Sequence, residues 1–161
     1  MKAITLHRPW PAAIIYCGKR VENRKWRPPE SIIGQDLAIH AGRREDEQSR
    51  RWINSMVERR QVLGRVLTGF GNEGIVAVVR VQGWLRHPGA RSRDEFEEVV
   101  RDHGDWVGNI VRSAWWCGPV GWTLDNVRPL ALPVPCKGAQ GLWTVPANVE
   151  AAVVEQIARS A

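Results

Sequence analysis

A chain of 161 residues can bury about two-thirds of the surface that its unfolded form exposes, so a packed core needs no covalent or metal staple. Cys17, Cys117 and Cys136 are odd in number and far apart, with no C-x-x-C and no histidine pair at ligand spacing. That excludes a zinc framework and predicts reduced thiols in a cytoplasmic protein.

The net charge of +6 is unevenly placed: residues 1–44 hold nine Lys/Arg against three Asp/Glu, and the remainder is balanced. Such asymmetry favours a polyanionic partner, whose phosphates reward a local basic surface, over a uniformly basic protein. A few surplus solvated arginines on an ordinary surface is the competing explanation. The opening MKAITLHRPW is too short in apolar residues for a signal sequence, and no apolar run approaches the ~20 residues of a membrane span, so no membrane partner is expected.

Lys2 to Leu6 reads as a short strand. Pro9-Trp10-Pro11 then opens a helix through Tyr16, with Gly18 suited to its stop. Lys19 to Trp26 and Asp36 to Ala41 alternate in character and predict strands, separated by a loop at Arg27-Pro28-Pro29. Glu45 to Leu63 predicts a helix whose Trp52, Ile53, Met56 and Val57 share a core face, with acids leading and Arg59 and Arg60 trailing. Gly74 to Leu85 is the strongest strand. Ser92-Arg93-Asp94-Glu95 is a capping box ahead of Phe96, Val99, Val100 and His103 at helical spacing. Val120 to Val127 and Leu130 to Val134 predict two further strands, the second an edge because of its prolines. Trp143 to Val145 is a short strand, and Pro146 starts a last helix that packs through Val149, Val153 and Ile157. Five or six strands with four helices, lacking regular βαβ alternation, define a single small α+β domain, residues 1–161, built on a barrel or strongly curved sheet.

Gly69 to Gly74 matches G-x-G-x-x-G, but a helix precedes it and a strand follows, the reverse of the order that presents a helix N-terminus to a pyrophosphate. With no P-loop either, no cofactor is expected. The four histidines are scattered; His40 stands out because it ends a strand on the face opposite Leu37 and Ile39, where a cleft or a structural role would both suit it. Of the nine tryptophans, Trp52, Trp84 and Trp122 suit a core. Trp10, Trp26, Trp115, Trp116 and Trp143 sit near turns, where rings line pockets, and two or three indoles are expected to be accessible. A base stacked on such a ring gains about 1–3 kcal/mol.

In Gly18-Lys19-Arg20-Val21-Glu22-Asn23-Arg24-Lys25-Trp26, an extended backbone turns Arg20, Glu22, Arg24 and Trp26 to one face. Glu22 and Arg24, about 7 Å apart along the strand, can pair. Lys19, at the turn, faces away from Glu22 if the strand is regular, yet is free to swing in. A solvated salt-bridge face is the plain alternative.

Lys19 to Arg24 resembles the K-x-x-E-x-R core of the ASCH-domain signature, in the PUA-like superfamily. Leu6-His7-Arg8-Pro9-Trp10, Leu37 to Ala41, Gly118 to Trp122, Val127-Arg128-Pro129, and Lys137-Gly138 through Leu142-Trp143 resemble other segments of that family in the expected order. Cys17 stands where the signature has glycine. The resemblance implies a small PUA-like β-barrel of five to six mostly antiparallel strands with flanking helices, and a cleft that binds RNA, other single-stranded nucleic acid or a nucleotide. The residues expected there are Trp10, Lys19, Glu22, Arg24, Trp26, His40 and Trp143. Relatives of that fold include hydrolases acting on N4-acetylcytidine through a lysine, a threonine and a glutamate, and nuclease activity has been attributed to others. Carried across, the lysine is Lys19, but Glu22 occupies the threonine position, and no acid occurs from Ile75 to Arg93. If the chain is an enzyme, Lys19 and Glu22 are its expected catalytic pair. A protein-interaction module using exposed tryptophans is a third reading, with no partner protein indicated.

Overall fold

The computed structural model describes residues 1–69, 71–86 and 113–160. The order is β1 (Lys2–Arg8), α1 (Trp10–Tyr16), β2 (Val21–Arg24), a 3-10 turn at Glu30–Ile32, β3 (Asp36–Glu45), α2 (Glu47–Glu58), β4 (Gly74–Arg86), β5 (Val120–Val134), β6 (Leu142–Thr144) and α3 (Ala147–Ser160). The helix expected after Ser92, with His87 and His103, lies outside the described residues, as does Trp106.

The strands form one sheet in the order β2-β5-β4-β3-β1-β6. β1 and β3 run parallel and the other neighbours antiparallel. The expectation of a closed barrel is corrected: among the described residues, β2 pairs only with β5 and β6 only with β1, so the sheet keeps two edges. Those edge strands have four and three residues, too few backbone groups to make a seam.

Period-two alternation assigns the faces. Ile4 and Leu6 of β1, Leu37 and Ile39 of β3, Val79 and Val81 of β4, and Trp122 and Leu124 of β5 form the main core with Ile14 of α1. Ala3, Ala38 and Val78 point the other way, where Val149 and Val153 of α3 cover them, as the last helix's spacing predicts. A third cluster joins Ala13 and Cys17 to Ile53 and Met56 of α2, Leu67 and Trp115.

Two sequence expectations change. Val120–Val134 is one strand, not two. Its prolines are tolerated because β2 pairs only as far as Thr123, so the stretch holding Pro129 and Pro133 bonds a strand on the β4 side alone. Trp52, expected in the core, is 41% exposed: Ile53 and Met56 carry the helix contact, and Trp52 leans on Trp10 and Trp115 at the margin, ring centroids 6.0 Å apart in each pair. The glycine-rich run at 69–74, of which Phe70 is not described, leads into a strand, β4, and opens no helix of its own.

Candidate functional site

α1 stops at Cys17, whose N–H bonds the Ala13 carbonyl, and Gly18 turns the chain with φ +66°. That turn swings Lys19 inward. Its Nζ donates to the Val21 carbonyl and, at 2.7 Å, to Glu22 Oε2. The ammonium also lies 5.8 Å from the Trp10 ring. Glu22 Oε1 is 3.3 Å from Arg24 Nη2. Lys19 and Glu22 are buried, while the Arg24 side chain is one-fifth exposed. Three charges therefore converge, two positive and one negative, and the central carboxylate is shared. Withdrawing such a group from water is tolerable only because its partners are in place.

Arg20 does not join them. It lies before β2 begins, and its Nη1 donates to the carbonyls of Ile14 and Lys19, tying α1 to the strand. Burial lowers the pKa of its guanidinium.

Beside this cluster opens a cavity of about 1120 Å³. Arg24 lines it, together with Thr5 and His7 of β1, His40, Gly42 and Arg43 of β3, Glu73, and the β5–β6 connection from Pro135 to Gly141. Its charged lining is Arg24, Arg43 and Lys137 against Glu73. Among the described residues, neither Nε nor Nη2 of Arg24 makes a hydrogen bond, and both are buried. The side chain as a whole is one-fifth exposed and lines the cavity, where its positive charge favours an anionic or carbonyl-bearing ligand.

The expected site residues divide. Arg24 and His40 line the cavity, Lys19 and Glu22 stand behind Arg24, and none of the indoles at 10, 26 and 143 forms the wall itself. Trp10 covers Lys19 and packs on Trp52. Trp26, 38% exposed, meets Trp122 edge-on at 4.7 Å, and its carbonyl accepts from the Trp122 indole at 3.0 Å. Trp143 packs edge-on against His40 and donates through Nε1 to Thr5 Oγ1 at 3.2 Å. Trp115 and Trp116 are buried, so among the described residues only Trp26 and Trp52 are exposed indoles. Thr5, Arg43 and Lys137 had not been singled out. Lys137-Gly138, inside a loop bounded by Pro135 and Gly141, was the available signal.

An open mixed sheet thus carries a K-x-x-E-x-R strand beside a cationic hollow. Among solved structures, the chain is similar to the crystal structure of ASCH from Zymomonas mobilis, with TM-score 0.50 and 10% identity over 96% of this chain and 93% of that one. A mutant of that Zymomonas mobilis protein gives TM-score 0.49 and 10% identity over 96% and 94%. No family model and no curated protein matches the sequence. The chain has the ASCH fold. Among the described residues, no helix is long and apolar enough to cross a membrane, and no group of three His, Cys, Asp or Glu side chains is placed to hold a metal ion.

Proposed function

We propose that this chain is a single cytoplasmic nucleic-acid-binding domain that takes a nucleotide of RNA or another single strand into the cavity beside β2. The observation that carries the reading is the cavity's charge: Arg24, Arg43 and Lys137 face one acid, Glu73, in a space large enough for a nucleotide. Arg24 is the central phosphate ligand, oriented from behind by Glu22, which Lys19 holds in turn. The basic first 44 residues extend the positive field around this entrance.

A hydrolase acting on a modified nucleoside or on RNA has less support. Lys19 Nζ is engaged by the Val21 carbonyl and Glu22, and neither Lys19 nor Glu22 lines the cavity.

Fluorescence polarisation of a labelled single-stranded RNA across a salt series tests the reading. Binding is expected at low salt, with log affinity falling linearly with log salt as counterions are released. Arg24→Ala should weaken it at least tenfold. Absence of binding at low salt, or indifference to Arg24→Ala, would overturn it.

A further inference from the structure

His40 is 1% exposed, and its Nε2 lies 3.1 Å from the Cys136 carbonyl. A carbonyl only accepts, so the proton of this contact sits on Nε2, and in the neutral ring Nδ1 is then an acceptor. That Nδ1 is buried and, among the described residues, has no hydrogen-bond partner. An orphaned buried acceptor is unfavourable unless something else satisfies it.

Thr5 supplies the complementary group. Trp143 Nε1 donates to Thr5 Oγ1, which leaves the hydroxyl's own proton to be given elsewhere. The two groups flank one point: a Cβ on Gly138 would stand 2.6 Å from His40 Nδ1 and 2.6 Å from Thr5 Oγ1. A side chain at position 138 would clash with both groups, so glycine leaves that point open. His40, Thr5 and Gly138 all line the cavity that holds Arg24.

We infer that His40 Nδ1 and Thr5 Oγ1 form a base-reading subsite: an acceptor beside a donor, each fixed in its role by a second contact, built for a nucleobase edge that presents an N–H next to a lone pair. The inference rests on the nucleotide-binding reading of the same cavity and deepens it. The cationic groups take phosphate, and the His40–Thr5 pair, which lines the same cavity, takes the base.

The test uses five-nucleotide RNAs carrying A, C, G, U or an abasic site at the centre, titrated into the unmodified domain. At least one base should bind about tenfold more tightly than the abasic strand, the effect of one or two well-made hydrogen bonds. Thr5→Val and His40→Leu should each bring the preferred strand's affinity to the level that the same variant shows for the abasic strand, with circular dichroism confirming the fold. A second readout needs no variant: the ¹⁵N resonance of His40 Nδ1 should shift with the preferred strand and stay in place with the abasic one. Equal affinity for abasic and base-bearing strands, or an unmoved Nδ1 resonance at saturation, overturns the subsite while leaving phosphate-driven binding intact. Failure of every strand to bind at low salt overturns both.

Discussion

Lys19 Nζ reaches Glu22 Oε2 at 2.7 Å across three positions of sequence, with both side chains withdrawn from solvent. The contact ties the turn after α1 to β2. It also keeps the carboxylate aimed at Arg24.

Removing one member should therefore be worse than removing both. Glu22→Leu leaves an ammonium buried without its counter-ion and is expected to destabilise by about 3–5 kcal/mol. The double variant Lys19→Met/Glu22→Leu should recover most of that loss, because apolar groups of similar volume can replace a buried pair. Urea denaturation of the two single variants and the double closes the cycle. Additive losses would mean that the pair is not coupled.

Glu73 is the acid of the cavity lining, and its Oε1 accepts from Arg43 Nε at 3.1 Å. Glu73→Gln should tighten single-stranded RNA two- to fivefold at low salt, through freed positive charge. The gain should vanish near 0.5 M salt. Polarisation titrations at the two salt concentrations check this, and a weaker complex at low salt would contradict it.

Asp46 caps α2, accepting from the Ser49 N–H at 2.9 Å and from the Ser49 hydroxyl at 2.7 Å. The backbone hydrogen bond first, then the hydroxyl, hold its carboxyl below the ordinary Asp range against the opposing effect of desolvation, with still smaller help from Arg44 and His7. Because the folded-state pKa is depressed, the cap's contribution is complete above the unfolded Asp pKa. It is lost as pH falls through the folded value. Asp46→Ala should cost about 1 kcal/mol at pH 7 and progressively less on acidification below about pH 4. Thermal melts of both proteins from pH 7 to pH 3 measure the convergence.

The three thiols should react in order of access. Cys117 is exposed, whereas Cys17 is fully buried and its pKa is raised by desolvation, against lesser lowering by the Arg65 backbone hydrogen bond and charge. Burial raises the Cys136 thiol as well, with a smaller opposing effect from the Ile75 backbone. Iodoacetamide at pH 8 followed by mass spectrometry should label Cys117 within minutes and Cys17 only on unfolding. Early labelling of Cys17 would show that the α1–α2 interface opens.

Much of the framework was legible because periodicity and punctuation agree. Leu37 and Ile39 alternate with Ala38 and His40 across two faces, and Val149 and Val153 recur at helical spacing. What escaped depended on neighbours remote in sequence. That Trp52 stands at a margin is decided by Trp10 and Trp115, and that β5 runs through its prolines is decided by where β2 ends. The signature strand was readable as a cluster of charge. Which member meets the cavity was not, since the turn at Gly18 sends Lys19 inward and leaves Arg24 at the opening. Thr5 carried no signal at all until β3 and the 135–141 connection closed over it.

β1 lies between β3 and β6, so the strand at residues 2–8 is completed on one side only by residues 142–144. During synthesis one flank of that strand must wait, its amides unpaired, until those residues have emerged. Expression conditions that slow translation between residues 8 and 142 should therefore prolong a sticky half-made sheet.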